Sequence, residues 1–467
     1  MLLYYLLLAM INSKRYFAVV FRSVLLLWQA VAIQAATTVT NVSAGSNSGC
    51  SQFIKSDGSL WVMGYNGYGQ LGDGTFNNAN KPEQIVSNRV VAIASGEYHN
   101  LFLKSDGSLW VVGGNDYGEL GDGTFNLSSV PEEIVSSNVV AISAGGEHSL
   151  FLKSDGSLWA MGWNSHGQLG DGTANNTNWP EQIVSSGVTA ISAGFNYSLF
   201  LKSDGSLWGM GFNYGALGYG TGNNCYQPVL IITTGVVAIA AGFVHSLLLK
   251  SDGSLWVTGN NADGQLGTGT TGGSVTTWQQ IVTNGVVAIA AGSYHSLFLK
   301  SDGGLWAMGH NFFGELGDGH GAFGVKTNVP EEIVSSNVVA IAAGLQFSMF
   351  LKSDGSLWAM GTDIFGQLGD GFINNTVSII PEQIVPSPQP SLTEIVSART
   401  NLQINATCQF GGKFYLLEST NLAQPLSLWT PIATNSITAL GSNNFVATPI
   451  NVVKGNGGQR FYILMSQ

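Results

Sequence analysis

The chain has 467 residues, of which 62 are Gly, 45% are apolar and only 10% are charged. Folded proteins have about 7% Gly and about 25% charged residues, so this composition excludes a coiled coil or a highly charged disordered chain. The formal net charge of −11 is unevenly distributed, because residues 37–385 contain 10 basic and 26 acidic side chains. Such an acidic segment gains nothing from the counterion release that drives binding to nucleic acid, so nucleic acid is excluded as an expected partner. It is also not attracted to an anionic membrane surface.

Residues 1–36 have the order of a secretory signal peptide. Basic residues up to Arg22 precede the apolar run 24–28, and small residues follow to Ala36; this order is typical of exported proteins. The run is shorter than the about 20 apolar residues of a membrane span. We expect a secreted, periplasmic or cell-surface protein, with an uncleaved anchor that includes residues 1–11 as the alternative and the only expected membrane contact.

The three cysteines are Cys50, Cys225 and Cys408. They are odd in number and widely spaced, so they predict no disulfide framework. We interpret all three as small buried side chains.

A repeated heptapeptide, Lys-Ser-Asp-Gly-Ser-Leu-Trp, dominates residues 37–385. It occurs seven times at spacings of 48 to 52 residues, with Gly304 in place of Ser once. Around it, each unit has an apolar run closed by Gly, a second run, an Asp-Gly turn, a third run, a Gly-rich loop and a fourth run. Four short strands per unit, a period near 50 residues and no helical periodicity predict an all-β, seven-bladed β-propeller.

The tryptophan that ends each heptapeptide is assigned a structural role. With its Leu neighbour it is expected to pack between blades, and replacing one by Ala should cost about 3–5 kcal/mol. The seven positions are Trp61, Trp110, Trp159, Trp208, Trp256, Trp306 and Trp358.

Histidine recurs five residues before the repeat Lys, as His99, His148, His245 and His295. The other three units have Cys50, Tyr197 and Phe347 there. Equivalent positions on a ring lie on different blades, too far apart to share one metal ion. We therefore interpret these His residues as structural.

The Leu-Gly-Asp-Gly-Thr motif and its near copies could suggest a calcium loop. Its carboxylates are Asp73, Asp122, Asp171, Asp318 and Asp370, and Tyr219 and Thr268 replace them in two units. Each motif supplies one carboxylate, whereas a calcium loop supplies several, so turn formation is favoured. We predict no metal site, no cofactor and no catalytic residues.

Two stretches of the repeat carry a family resemblance. One is Ala-Gly-x-x-His-Ser-Leu-Phe-Leu-Lys-Ser-Asp-Gly at Ala291 to Gly303, and the other extends from Leu158 to Gly172. They resemble the regulator of chromosome condensation repeat in all seven units, about three-quarters of the chain, and the expected export suggests a bacterial-type member. The resemblance implies a seven-bladed propeller whose closure mixes strands from both chain ends. Family members include a guanine-nucleotide exchange factor, interaction scaffolds and secreted inhibitors of β-lactamase, so the fold does not determine the function.

The two faces of the predicted propeller differ. The connections between first and second and between third and fourth strands vary from unit to unit and form the variable face, whereas the others are nearly identical and form the constant face. Loop aromatic and acidic residues are typical of interface anchors, although many could instead pack on neighbouring loops. The candidate binding residues are Tyr65, Tyr68, Glu97, Tyr98, Asp116, Tyr117, Glu147, Trp163, His166, Phe195, Phe212, Tyr214, Phe243, Asp263, Tyr294, His310, Phe312, Phe313 and Phe365.

After the repeats, a Pro-rich linker is predicted at residues 386–392 and a small β-sandwich-like domain at residues 393–467. Its apolar runs lie at 402–408, 413–417, 445–448 and 460–465. The region resembles C-terminal modules of secreted bacterial proteins, which would imply attachment or sorting.

We predict an exported, monomeric, non-enzymatic binding scaffold that uses the variable face to bind a protein or a glycan. One alternative is nucleotide exchange on a small GTPase, which the export signal and the lack of a wedge-like insertion disfavour. A secreted inhibitor of the β-lactamase-inhibitor propeller type is another. An enzyme such as a lyase or glycosidase would need converging carboxylates, which the linear spacing does not show.

Overall fold

The computed structural model describes residues 37–45, 49–321, 326–372 and 377–387, and the backbone of six strands between 391 and 466. The predicted signal segment, residues 1–36, lies outside the described residues. The repeats form one compact unit, Thr37–Pro388, and residues 389–467 belong to a second unit.

The first unit is a seven-bladed β-propeller, as predicted, and each blade is a four-stranded antiparallel sheet of consecutive strands. The first strands are β1 (Val39–Ala44), β5 (Val90–Ser95), β9 (Val139–Ala144), β13 (Val188–Ala193), β17 (Val236–Ala241), β21 (Val286–Ala291) and β25 (Val338–Ala343). The second strands are β2 (Cys50–Lys55), β6 (His99–Lys104), β10 (His148–Lys153), β14 (Tyr197–Lys202), β18 (His245–Lys250), β22 (His295–Lys300) and β26 (Phe347–Lys352). The third strands are β3 (Leu60–Gly64), β7 (Leu109–Gly113), β11 (Leu158–Gly162), β15 (Leu207–Gly211), β19 (Leu255–Asn260), β23 (Leu305–His310) and β27 (Leu357–Thr362). The fourth strands are β4 (Ala79–Val86), β8 (Ser128–Val135), β12 (Thr177–Val184), β16 (Cys225–Ile232), β20 (Ser274–Val282), β24 (Lys326–Val334) and β28 (Val377–Val385).

The first strands of neighbouring blades contact one another around the whole ring, so they surround the central axis and the fourth strands form the outer rim. The Ser-Asp-Gly-Ser segment turns the chain between second and third strands. In blade 1, the backbone N–H of Ser59 donates to Asp57 Oδ1 at 2.9 Å, and Gly58 has a φ of +76° that favours glycine. These turns lie on the constant face.

The core lies between the blades. Leu109 of blade 2 belongs to the same apolar cluster as Phe151 of blade 3, and Trp159 packs against this cluster. The Trp159 ring stacks on Phe151 with centroids 6.0 Å apart, donates from Nε1 to Ser157 Oγ at 2.9 Å and lies 4.1 Å below the ammonium of Lys153. The polar edge of the indole is thereby satisfied while its faces are covered.

The ring closes without strand exchange between the chain ends, in contrast to the closure that the family resemblance implies. Strands β1–β4 form the first blade and β25–β28 the seventh, so no sheet among the described strands combines the two ends. Closure relies on an interface of the same kind as the other six. Ser51 Oγ donates to the backbone oxygen of Gln367 at 2.7 Å, and the N–H of Gly371 donates to the oxygen of Asn80 at 2.8 Å.

The second unit contains two three-stranded sheets, ordered β29-β30-β33 and β32-β31-β34. Their strands are β29 (Ser391–Ser397), β30 (Asn401–Thr407), β31 (Lys413–Ser419), β32 (Thr430–Ser436), β33 (Ile450–Val453) and β34 (Phe461–Ser466). β29 begins at Ser391, inside the predicted linker 386–392, and β29, β32 and β33 were not among the predicted runs. The predicted run 445–448 and Cys408 lie outside the described residues.

Candidate functional site

The variable face is built from loops that a few polar side chains hold in shape. In blade 1, Asn66 Oδ1 accepts from the N–H of Leu71 at 2.9 Å, and Asn66 Nδ2 donates to Asp73 Oδ1 at 3.1 Å. Asp73 also accepts from the N–H of Thr75 at 2.8 Å, and Gln70 Oε1 accepts from the N–H of Tyr68 at 3.0 Å. The repeated Asp therefore acts here as a turn residue.

Beneath these loops, the repeated His residues join neighbouring blades. His99, His148, His245 and His295 are buried, and the Nε2 atom of each lies 2.9–3.0 Å from a Ser hydroxyl of the next blade. Burial lowers the pKa of His99, His148 and His295 to about 3 and that of His245 to about 4. These rings are therefore neutral at pH 7 and contribute no charge to the face above them.

Each blade has a loop between its first and second strands, which we call the inner loop. A ring of glycines brings these inner loops into close contact. A Cβ added to Gly145 would lie 2.5 Å from the backbone oxygen of Gly194, and one added to Gly242 would lie 2.5 Å from the oxygen of Gly292. The N–H of Phe195 donates to the oxygen of Gly242 at 3.2 Å. The inner loops thus pack too tightly for a side chain at these positions.

The structure sorts every predicted aromatic and His residue of the variable face into three groups of contacting rings. Neighbouring centroids lie 4.2–6.4 Å apart, and the contacts cross from blade to blade. The first group is Phe365, Tyr65, Tyr68 and Tyr98; the second is Tyr117, Trp163, His166, Phe212 and Tyr214; the third is Phe195, Phe243, Tyr294, His310, Phe312 and Phe313. Most of these rings are half-buried, whereas Tyr214 is 60% exposed.

Four carboxylates of blades 2 and 3, Glu97, Asp116, Glu119 and Glu147, form what we call the acidic sector. Burial, followed by the charges of the other three, raises the pKa of Glu147 to about 7. Burial raises the pKa of Glu119 to about 7 as well. Their charges also raise the pKa of Tyr117, most strongly through Glu147. The acidic sector is therefore a site of concentrated negative potential beside the first two aromatic groups.

Asp263, the remaining predicted acidic residue, lies apart from this sector. Its Oδ1 is 3.8 Å from Lys326 Nζ, which also donates to the backbone oxygen of Ala262 at 2.9 Å. In blade 6, His310 Nδ1 contacts Glu315 Oε1, and both side chains are buried. Glu315 also accepts from the N–H of Phe313 at 2.9 Å.

Charge is segregated between the two faces. Seven of the ten cations of residues 37–385 are the repeat Lys residues, whose ammonium groups lie 3.6–4.3 Å from the centroids of the repeat Trp rings near the constant face. Arg89 lies in a loop of the same face. The variable-face loops and strand ends carry twelve carboxylates within the described residues and only two cations, Lys81 and Lys326.

Sequence reasoning missed several features of this face. Glu119 and Glu315 occupy the position at which four other blades have Gln, and that substitution was the available signal. Asp363 stands where the other six blades have Asn, and burial together with Asp370 and Glu382 raises its pKa to about 7.

Across the described residues, no group of three His, Cys, Asp or Glu side chains is placed to bind a metal ion. In the same part of the chain, no helix has the length and hydropathy to span a membrane.

Comparisons with known proteins agree with the geometry. The family model of the RCC1-like domain matches residues 128–416, and models of the regulator of chromosome condensation (RCC1) repeat match residues 57–103 and 90–119. No curated protein matches the chain.

Several solved structures share the fold. Human WBSCR16 is 22% identical, with a TM-score of 0.61, over 72% of this chain and 96% of its own. Prp20p from Saccharomyces cerevisiae, described with its binding to Gsp1p and histones, is 21% identical, with a TM-score of 0.63, over 72% and 88%. Yeast RCC1 (Prp20) bound to Kap60 is 21% identical, with a TM-score of 0.63, over 76% and 85%. At this identity the likeness shows the fold alone.

Proposed function

This chain belongs to the RCC1-like domain family, and from that premise we propose that it is an exported, non-enzymatic scaffold whose variable face binds a protein with a basic surface. RCC1-like propellers are of a regulatory or binding type. Structural neighbours such as Prp20p bind proteins, which makes a protein partner plausible for this chain. The export component rests on the residue order of segment 1–36.

The segregation of charge carries the proposal. The constant face holds its Lys side chains over Trp rings and balances them with the Asp of each turn, whereas the variable face has a large excess of carboxylates. Complementary charge directs a basic partner to the acidic face and disfavours an acidic one. The aromatic groups beside the acidic sector supply the apolar contact area that anchors an interface.

The acidic sector is the expected centre of the interface. Glu97 is 8% exposed and Glu147 is partly buried, so both are already partly desolvated before a partner arrives. Burial, and then the like charges of the other three carboxylates, raise the pKa of Glu147, so the ionised form of this group is disfavoured in the free protein. A cationic side chain placed among them relieves this repulsion, so binding energy is concentrated there.

A capture experiment with a matched control tests the proposal. The full-length chain is immobilised, and proteins retained from the host's extracellular and surface fractions are compared with those retained by the triple variant Glu97→Gln, Asp116→Asn, Glu147→Gln. The control variant changes Glu83, Glu181 and Glu332 to Gln, because these carboxylates are exposed on fourth strands outside the acidic sector. We expect the triple variant to lose at least tenfold in retention of a basic protein and the control to retain it.

Two outcomes contradict the proposal. One is that the triple variant and the control variant retain equal amounts of the basic protein; the other is a specific partner whose contact surface is acidic. The export component is tested separately, by fractionating the native cells and determining the N-terminal sequence and intact mass. A mature start near Ala36 outside the cytoplasm supports it. An intact cytosolic chain contradicts it and makes nucleotide exchange on a small GTPase the next assay.

A further inference from the structure

A groove of about 620 Å³ opens on the rim of blade 4, beside the fourth strand of that blade. Its size is within the range of about 300–1,000 Å³ of small-ligand sites. The rings of Tyr219 and Tyr226 line it and are 46% and 41% exposed, and the amide side chains of Asn223, Asn224 and Gln227 line it as well. None of its lining residues carries a formal charge at neutral pH.

Blade 4 departs from the other repeats at this groove. Tyr219 occupies the position of the repeated turn Asp, and the loop before it is one residue shorter, which accounts for the 48-residue spacing between Trp208 and Trp256. β16 carries no charged side chain, whereas five of the other six fourth strands carry Glu. Ala216 stands where four other blades have the Gln that braces the loop, and Asn213 Oδ1 lacks a hydrogen-bond partner within the described part of the chain. The groove is therefore a local specialisation in which two of the usual loop hydrogen bonds are lost, although Asn213 Nδ2 still donates to the backbone oxygen of Thr221 at 2.8 Å.

Neighbouring blades hold the two tyrosines from opposite sides. The N–H of Gly172 in blade 3 donates to the backbone oxygen of Tyr226 at 2.9 Å, and a Cβ on Gly167 would lie 2.6 Å from Tyr226 Cα. The backbone of Tyr219 bridges to Thr277 of blade 5. Both rings therefore stand on backbone that is already fixed, and binding would not have to order the loop.

The polar wall is positioned in the same way. Asn224 Nδ2 lies 3.2 Å from His166 Nδ1 of blade 3, and burial lowers the pKa of His166, which favours the neutral ring as the acceptor. The Gln227 amide lies against Gly172, where a Cβ would come within 2.9 Å of Nε2. An amide side chain can donate to a ligand through its NH2 group and accept through its oxygen.

We propose that this groove binds a neutral oligosaccharide. A pyranose ring presents a C–H face that packs on an exposed aromatic ring, and its hydroxyl groups both donate and accept, as amide side chains do. An anionic ligand would find no cation in the groove, and a cationic ligand would find no carboxylate. The groove is separate from the acidic sector, so this proposal does not depend on the protein partner proposed above.

The test uses the full-length chain and a panel of neutral hexose oligosaccharides, with a sulfated glycan as the charged comparison. We expect calorimetry to detect binding of at least one neutral oligosaccharide at ligand concentrations up to about 10 mM. Binding in this range is weak: a dissociation constant of 1 mM corresponds to a binding free energy of about −4 kcal/mol. Tyr219→Ala and Tyr226→Ala should each weaken binding about tenfold. Phe125→Ala is the matched control, because Phe125 is an exposed ring of the equivalent loop in blade 2 that does not line the groove.

Cys225 provides a second readout, since this partly exposed residue lines the groove while Cys50 is buried. In a Cys408→Ser background, a bound oligosaccharide should slow the reaction of Cys225 with a thiol reagent, with half-protection at the concentration found by calorimetry. The proposal is overturned if no neutral member binds, if the sulfated glycan binds more tightly, or if binding survives both Tyr substitutions in variants whose circular dichroism matches that of the parent chain.

Discussion

The Nε2 atom of His148 lies 2.9 Å from the Oγ atom of Ser198 in the next blade. Ser198 Oγ donates its own proton to the backbone oxygen of Gln168 at 2.8 Å, so it accepts from the imidazole, which must carry its proton on Nε2. The same arrangement recurs at His99, His245 and His295. Four of the seven contacts between blades thus contain a neutral His ring.

This arrangement predicts acid sensitivity. The pKa of His148 is about 3 in the folded chain, below the ordinary value of about 6.5 for an unfolded chain, so the unfolded state binds more protons and stability falls as pH drops below 6.5. His148→Phe, which copies Phe347 of blade 7, should cost about 1 kcal/mol at pH 7. It should also reduce the loss of stability on acidification by up to about 1.4 kcal/mol per pH unit. Urea unfolding at pH 7, 6 and 5 measures both effects, and parallel losses in the two proteins would contradict the prediction.

Asp363 predicts the opposite pH dependence. Its folded pKa of about 7 lies above the unfolded value of about 3.9, so the folded state binds more protons and stability falls as pH rises from about 4 to 7. In blades 1, 2, 3 and 6, an Asn at this position donates to the turn Asp at 2.9–3.1 Å. Asp363→Asn restores that donor next to Asp370 and should stabilise the protein by about 1 kcal/mol at pH 8 and by little at pH 4. Thermal unfolding at both pH values measures the difference, and a gain independent of pH would exclude this explanation.

The close contact of the inner loops predicts that Gly145 cannot be replaced. The Cβ of Gly145→Ala would lie 2.3 Å from His148 Cε1 and 2.5 Å from the oxygen of Gly194, so we expect a loss of about 1–3 kcal/mol. Gly222→Ala is the control, because its Cβ would meet nothing within 4 Å. Denaturant unfolding of both variants tests this, and equal stabilities would show that the loops can relax.

Arg89 has a left-handed backbone conformation that a side chain disfavours. Its φ is +69°, whereas Gly187, Gly235 and Gly285 occupy the same position in blades 3, 4 and 5. Arg89→Gly should stabilise the protein by up to about 1 kcal/mol, since the strain relieved exceeds the added entropy of the unfolded chain. Differential scanning calorimetry measures the change. A lower melting temperature would show that the Arg89 side chain makes a compensating contact.

The raised pKa of Glu147 predicts that partner binding depends on pH near neutrality. Burial and the neighbouring carboxylates raise this pKa to about 7, so acidification from pH 8 to pH 6 neutralises the group. Affinity for a basic partner should fall about tenfold over that range, and Glu147→Gln should bind weakly at both pH values. Glu332→Gln should keep the pH dependence of the parent. A pH-dependent affinity in Glu147→Gln would assign the effect to another group.

The sequence predicts the fold well because the repeat encodes its own geometry. The Asp-Gly turn, the apolar runs and the Trp recur with the period of a blade. The sequence therefore contains seven copies of the same four-strand pattern, one for each blade. Closure between blades 7 and 1 is not visible in this pattern, since a complete first blade and a shared blade have the same strand signals. The repeat pattern therefore left strand exchange open, and the family resemblance gave the wrong expectation.

The candidate site is only partly predictable. Loop alternation placed the aromatic residues on one face, but which rings touch depends on the angle between blades, as with Tyr68 and Tyr98, whose centroids lie 4.3 Å apart. The acidic sector arises because Glu97 and Glu147 occupy neighbouring positions of the same loop in adjacent blades, two residues and one residue before the repeat His, and Glu119 replaces Gln between them. Such proximity follows from three-dimensional packing and cannot be read from any single repeat.

The construction of each blade from four consecutive strands also has a consequence for synthesis. Six interfaces join segments that leave the ribosome one after the other, whereas the seventh joins Ser51 to Gln367, 316 residues later. Until the last blade emerges, the nascent chain can form only an open arc with an uncovered apolar surface at each end. Closing this arc is the one step with a large loop-closure entropy. A chain that stops before blade 7 should therefore expose an apolar blade surface at each end, bind chaperones and polymerise instead of forming a smaller ring.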